Sequence, residues 1–360
     1  MNVCTTTARV VERAFFPLDE QLRLSERRLS LGVARLVTWL SGMLTFREVC
    51  EVLARVGGVE VSASTTWREV QQRGEQICAA EAPSAVGVVE REEVSAAAAQ
   101  EQQPPKRMGC SLDGGMIHII DEGWKELKVG VIFDVVGEQR LDLRCKEWVE
   151  VGQAVNNSYV GHLGGPEAFG ALLWHEAHRR RWEEAAASVV LGDGAVWIWN
   201  LVSTHFYDSK QVVDWYHGTQ HLAVAAQLLH AEGTPAARRW YEQWKTPLYQ
   251  GQAAQIAEHL TQAATQIAPT QPQTAEALLT EAGYFLTNQH RMQYMQMREE
   301  GWPIGSGTVE SGCKQFKHRF AGPGMRWSRP GAEHLIPIRA AVMSHRFDAI
   351  WNHTFNSPTN

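Results

Sequence analysis

The tightest constraint on this chain is an order of elements. Between Met108 and Val136 three strand-like runs follow one another with no room for a helix between them: Met108–Asp113, Met116–Ile120 and Leu127–Val136. They carry β-branched residues and are bounded by Gly114-Gly115, Asp121-Glu122-Gly123 and Gly137. The pattern then changes. Pro166–Trp182 reads as a helix, Ser188–Asp193 as a buried strand closing on Gly-Asp-Gly, Gln211–Asp214 as another strand, and a helix starts near His217. Consecutive strands followed by alternating helices and strands predict an α/β fold, with a mixed sheet covered by helices.

The flanking regions are helical in composition. Residues 233–298 are rich in Ala, Gln, Glu and Leu and are broken at Pro269 and Pro272, which predicts an all-helical insertion before the last core helix. That last helix starts after Gly305-Ser306-Gly307 and runs to about Phe320, where Gly322-Pro323-Gly324 stops it. The resulting order, β-β-β-α-β-α-β-α, is that of a ribonuclease-H-like fold. Near the N-terminus, Thr45 and Glu48 are spaced as a capping box, and Phe46, Val49, Cys50, Leu53 and Val56 recur at helical spacing. Gly57-Gly58 ends this helix, and Ser62 to Thr66 offer caps for a second one through Trp67, Val70 and Ile77. Two short helices around a tight turn predict a helix-turn-helix-like region, with an ordinary helical hairpin as the alternative. The expected organisation is an N-terminal helical region (1–78), a linker rich in Ala, Glu, Gln and Pro (79–106), a catalytic core (107–232 and 299–352), the insertion (233–298) and a tail (353–360).

Composition narrows the function classes. At 360 residues, about 100–200 per domain predicts two or three domains. The six cysteines include no closely spaced pair, which excludes a zinc ribbon, a thioredoxin-like site and a dense disulfide framework, and suits a reducing cytosol. The most apolar stretch, Leu29–Phe46, is interrupted by Arg35, Thr38 and Ser41, so no membrane span is expected. With no basic-then-apolar leader pattern either, a cytoplasmic protein is expected. The net charge of −6 averages unlike regions. Ala79–Gln103 holds five acids and one base, whereas Ser311–Ala332 holds no acid but has Lys314, Lys317, His318, Arg319, Arg326 and Arg329. Placement of charge matters more than its sum for a nucleic-acid partner.

Three carboxylates fall where such a fold places a site: Asp113 at the end of the first strand, Asp193 at the end of the later buried strand, and Glu310 in the first turn of the last core helix. Phosphodiester cleavage develops charge on the attacking and the leaving oxygen. Two Mg²⁺ ions about 3.5–4 Å apart, held by hard carboxylate oxygens, would stabilise both. Taken singly, Asp113 and Asp193 also suit plain Asp-Gly turns. Lys314 and Lys317 lie at i+4 and i+7 from Glu310, on its helix face, placed to meet phosphates. Phe316 and Phe320 are expected to pack inward. Asp214 and His217, at a strand end, could support a metal centre or form a structural pair. A zinc site at His175 and His178 lacks a third ligand. Most of the 14 tryptophans, Trp197, Trp199 and Trp215 among them, are expected to fill the core.

The segments LGDGAVWIWN (191–200), VVDWYH (212–217), PIGSGTVESGCK (303–314) and GMRWS (324–328) resemble the DDE transposases of bacterial insertion sequences, of the ISKra type. Pro17-Leu18-Asp19-Glu20 and the Phe46–Glu69 region are also similar to that family's N-terminal part, so the resemblance spans about residues 13–352. It implies a ribonuclease-H-like catalytic core with a helical insertion and an acidic triad of Asp113, Asp193 and Glu310. It also places Asp214-x-x-His217 where related transposases carry a C/D-x-x-H motif. Mg²⁺ or Mn²⁺, DNA of the element's terminal inverted repeats, target DNA and a homo-oligomer on paired ends are implied as cofactors and partners. Family members commonly carry paired cysteines upstream of the Pro17–Glu20 segment. Cys4 stands alone here, so the expectation is either a truncated copy or a misplaced start. The resulting expectation is a transposase that cuts at the transposon end and joins the freed 3′-hydroxyl to target DNA. Its DNA contacts are expected from Lys314, Lys317, Arg319, Arg326, Trp327 and Arg329, and from Trp67, Arg68 and Arg73 in the N-terminal region. The rivals are another ribonuclease-H-like nuclease, a DNA-binding derivative that does not cut, and a hydrolase acting on a non-nucleic substrate.

Overall fold

The computed structural model describes residues 29–81, 106–142 and 147–356. The Pro17–Glu20 segment, Cys4, Cys145 and most of the expected linker lie outside the described residues.

The sheet begins with β1 (Arg107–Ile119), which pairs antiparallel with β2 (Gly123–Asp142) from Met108↔Asp134 to Ile119↔Gly123. The expected break at Gly114-Gly115 does not occur, and the first two predicted strands are one. These glycines admit neighbours rather than turn the chain. A Cβ on Gly115 would lie 2.7 Å from Lys317 Cε, and one on Gly114 would lie 2.5 Å from Glu126 Oε1. The turn comes at Asp121 and Gly123, both left-handed with φ of 65° and 73°. The third antiparallel strand is instead β3 (Glu147–Leu163), which the sequence reading missed. Its Gly152, Asn156, Asn157 and Gly161 interrupt the apolar alternation. It pairs with β2 along its length, with an irregularity between Ile132 and Asp134.

 Before the sheet, three N-terminal helices span Leu31–Ser41, Phe46–Gly57 and Ala63–Ala80. The capping box forms as expected: Thr45 Oγ1 accepts from the Glu48 amide, and the Glu48 carboxylate accepts from the Thr45 amide at 2.8 Å. Gly58, at φ 61°, ends the second of these helices.

After β3, α1 (Pro166–Arg179) opens a run of helices and strands that completes the sheet. It continues through β4 (Ala187–Gly192), α2 (Val196–His205), β5 (Lys210–Val213) and α3 (Trp215–His230). The insertion supplies α4 (Pro235–Tyr249), α5 (Ala253–Ile267), α6 (Pro272–Asn288) and the short α7 (Tyr294–Glu299). Pro272 stands at the first turn of α6, where its missing N–H costs nothing. The chain closes with α8 (Gly307–Phe320), α9 (Arg329–Met343) and α10 (Phe347–Asn356), so residues 353–356 of the expected tail are helical.

Among the described residues the strand order is β3-β2-β1-β4-β5, with β1, β4 and β5 mutually parallel. This mixed sheet with flanking helices is compatible with the ribonuclease-H-like fold expected from the sequence. On one face, Phe169 and Leu173 of α1 press on Gly130. On the other, Phe316 of α8 and Ile336 of α9 press on Gly161, while Tyr159 presses on Gly312. Small residues at these crossings let helix and sheet approach closely.

The N-terminal helices share this core rather than forming a detached module. Ala34, Val37, Val49, Leu53, Val70 and Ile77 belong to the same buried cluster as the sheet. A Cβ on Gly74 would lie 2.3 Å from the His334 carbonyl oxygen, so the third N-terminal helix lies directly on α9. Arg319 donates to the Ser41 carbonyl at 2.8 Å, and Arg339 to that of Gly42 at 2.9 Å. Among the described residues, no helix is long and apolar enough to cross a membrane.

Candidate functional site

Strand register sets three aspartates in a row. The last rung between β1 and β4 is Ser111↔Leu191, so Asp113 and Asp193 both lie two residues beyond it. The last rung between β4 and β5 is Gly192↔Val213, so Asp193 and Asp214 both lie one residue beyond that. In-register neighbours on parallel strands project side by side. Asp113, Asp193 and Asp214 therefore line the carboxyl edge of the parallel half of the sheet, where open α/β sheets place their sites.

The three are held differently. Asp113 Oδ1 accepts from the Gly114 amide at 2.7 Å, and Asp193 Oδ1 from the Ala195 amide at 2.8 Å. In each case one oxygen is fixed by the backbone. Asp214 is fully buried and caps α3: its Oδ1 accepts from the amides of Tyr216 at 2.7 Å and His217 at 3.1 Å. Its Oδ2 accepts from the Ser306 amide. Burial alone would push this carboxyl up, but the hydrogen bonds from His217 and Ser306 outweigh it and hold it below the usual carboxylate range. With both oxygens committed, Asp214 braces β5, α3 and the Gly305-Ser306-Gly307 loop that leads into α8.

His217 sits over the row. Its Nδ1 lies 3.5 Å from Asp214 Oδ1, an ion-pair distance. The Asp214 carboxylate chiefly raises the imidazole's affinity for a proton. Burial opposes it, and the charges of Asp193 and Asp113 add to the rise. From α8, the buried Cys313 thiol reaches Asp113, and burial together with that carboxylate pushes it well up, leaving it a protonated neighbour.

Glu310 is placed in the first turn of α8, as expected, and its carboxylate pairs with Lys314 at 3.6 Å. It stands one helical turn before Cys313 on the same helix. Among the described residues, no three His, Cys, Asp or Glu side chains converge on one point as a metal cage. The donor types still suit a hard divalent cation, since Asp113 and Asp193 offer carboxylate oxygen from neighbouring strands.

Lys314, Lys317 and Arg326 are exposed, as are Trp67 and Arg68 at the start of the third N-terminal helix. Three other expected DNA contacts are not surface groups. Arg73 is buried, paired with Glu69 at 2.8 Å and stacked over Phe355 at 4.8 Å. Arg319 is buried among Phe46, Phe320 and Trp327. Trp327 is buried and donates to the Phe320 carbonyl at 2.8 Å. In each case the apolar body of a long side chain fills the seam between the N-terminal helices and the C-terminal ones. Arg329 is half-buried and already engaged by Glu122 at 2.7 Å and Glu333 at 3.2 Å. Trp199 packs inside under Arg291, and Trp215 meets Tyr294 edge-on at 4.8 Å. His178 pairs with Glu183.

One neighbour of the row had no sequence signal. Tyr284, on α6 of the insertion, donates to the Asp193 carbonyl at 2.9 Å. It lies 91 positions from Asp193 along the chain, and nothing in its local sequence distinguishes it.

Among known proteins, one from Streptococcus gallolyticus described as "UPF0236 protein in vanSb 3'region" is 22% identical over 354 residues, covering 96% of this chain and 70% of that protein. No family model matches the chain.

Proposed function

We propose that this chain is a metal-dependent DNA transposase, binding the terminal inverted repeats of an insertion sequence and carrying out strand cleavage and transfer. The observation that carries the reading is the in-register pair Asp113 and Asp193 at the carboxyl edge of a mixed sheet compatible with a ribonuclease-H-like fold. Beside it runs a helix bearing Glu310 and the exposed Lys314 and Lys317. The sequence resemblance to DDE transposases points the same way. The relative from Streptococcus gallolyticus, similar over nearly the whole chain, carries no activity in its description.

Asp113, Asp193 and Glu310 would hold Mg²⁺ or Mn²⁺. Bound there, the metal supplies charge stabilisation for the attacking and leaving oxygens of a phosphodiester. The chain's own part is positional. The Gly114 and Ala195 amides fix one oxygen of each aspartate and leave the other for a ligand. Asp214 anchors the loop preceding Glu310 through Ser306. Lys314 and Lys317 meet phosphates beside the reacting bond, which favours a nucleic-acid substrate over a small neutral one.

A second reading has its own support. The Glu310 carboxylate is drawn to Lys314 and the acids do not converge, which suits a derivative that binds DNA without cutting. The two part in a cleavage assay on DNA carrying the repeats that flank the gene, with Mg²⁺ or Mn²⁺. The transposase reading expects metal-dependent nicks at the repeat ends, lost in Asp113→Asn, Asp193→Asn and Glu310→Gln while repeat binding persists. Repeat binding with no product from the wild-type chain would favour the second reading.

A further inference from the structure

The turn that carries Asp193 is built around a side chain from the insertion. Gly194 sits at φ 101°, and a Cβ there would lie 2.7 Å from Tyr284 Cε2. The residue after Asp193 is therefore a glycine for two reasons: the backbone conformation and the close approach of this ring. The Tyr284 hydroxyl donates to the Asp193 carbonyl at 2.9 Å. Its ring stacks on His221 of α3 with centroids 3.5 Å apart and planes 20° from parallel. His221 Nδ1 in turn lies 2.7 Å from Glu281 Oε2, one turn before Tyr284 on α6. One hydrogen bond thus ties the insertion to the Asp193 turn, and a stack and a second hydrogen bond tie it to α3. Burial, and then the charges of Asp193, Asp214 and Glu281, raise the phenol's pKa, so it remains a donor.

We propose that Tyr284 is a positioning residue for Asp193, locking the Asp193–Gly194 turn so that the carboxylate is aimed only while the insertion is docked on α3. This rests on the reading of Asp193 as a metal ligand. The arrangement gives the insertion a role beyond bracing: anything that shifts α6 shifts Asp193 with it. The step is purely geometric. Tyr284 touches neither a reacting atom nor the far carboxylate oxygen. It holds the peptide whose next amides set that carboxylate, since Asp193 Oδ1 already accepts from Ala195.

The test uses the full chain as wild type, Tyr284→Phe and Asp193→Asn, with two readouts that do not need activity: hydrogen exchange over 192–197 and titration with Mn²⁺ alone. Tyr284→Phe keeps the ring and removes one donor. The expected result is exchange of the Ala195 amide and weakening of Mn²⁺ binding, each changed about fivefold, the effect of one ordinary hydrogen bond. Asp193→Asn should remove the Mn²⁺ signal altogether. Exchange and affinity both at wild-type values in Tyr284→Phe would overturn the proposal. Exchange over Val129–Val135 of β2 serves as the internal reference. Opening confined to 192–197 supports the lock, whereas a uniform rise across both segments makes Tyr284 a general packing residue and overturns it. A wild-type chain that binds no Mn²⁺ would instead sink the metal-site reading, while local opening in Tyr284→Phe would still identify the phenol as the lock on this turn.

Discussion

The two sides of the candidate site are built to different standards. The sheet side is fixed by the backbone: register aligns Asp113, Asp193 and Asp214, amides seize an oxygen of each, and Asp214 is wholly enclosed. The helix side is open. Glu310 pairs with the largely exposed Lys314 of its own helix, and Lys317 is exposed although its stem crosses Gly115 of β1. The backbone sets the first half, whereas the second half is exposed, and on the proposed reading it is the half that would meet a cation and a DNA backbone. Preorganised donors lower the reorganisation a reaction requires.

Several substitutions would break or sharpen that contrast. The largest effect is expected at Asp214. Asp214→Ala removes a helix cap and leaves the buried Ser306 amide without an acceptor, at a cost of about 3 kcal/mol. Thermal denaturation should show a clear fall in melting temperature, while Asp193→Asn and Glu310→Gln stay within about 0.5 kcal/mol of wild type. Equal losses at Asp214 and Glu310 would erase the distinction between the two sides.

Gly194→Ala comes next, at about 2 kcal/mol, because alanine is strained at a φ of 101° and its Cβ meets Tyr284. A chemical-denaturation midpoint at the wild-type value would show that this turn is not held as described.

The pH dependence of stability separates the members of the Asp214–His217 pair by sign. The Asp214 carboxyl is held below its unfolded value of about 3.9, so its contribution is complete above that pH and is lost as pH falls through the folded pKa. The His217 imidazole is raised above its unfolded value of about 6.5, so its contribution is complete below that pH and is lost as pH rises through the folded pKa. Asp214→Asn should flatten both limbs of a melting-temperature profile, and His217→Gln only the alkaline limb. An acid limb unchanged in Asp214→Asn would assign it to other carboxylates.

The smallest structural effect belongs to the open side. Lys314→Ala with Lys317→Ala should leave melting unchanged, yet reduce the slope of log affinity for DNA against log salt by about 2. A full slope in the double variant would place the phosphate contacts elsewhere.

The sequence was most informative where local chemistry and fold agreed. Asp193 ends an apolar run, Glu310 opens a helix after a Gly-Ser-Gly loop, and Thr45 with Glu48 forms its box, each from a short pattern. It misled where glycine served packing instead of turning. Gly114 and Gly115 look like a hairpin but lie within one continuous strand under Glu126 and Lys317. It was silent where the cause was distant. β3 is a strand because β2 pairs with it, despite its broken alternation, and Arg73 and Arg319 are buried because helices far apart in sequence close over them. Tyr284 is the extreme case, since its role exists only once the insertion folds back on the Asp193 turn.

The most direct test of the central claim is a joining assay. Wild-type chain and Asp193→Asn are each incubated with labelled DNA carrying the flanking repeats, an unlabelled target DNA and Mg²⁺ or Mn²⁺. The account predicts label covalently joined to target with the wild type alone, at equal repeat binding by both proteins. Joined product of equal yield from Asp193→Asn would contradict it, because the acid row would then be dispensable to the chemistry.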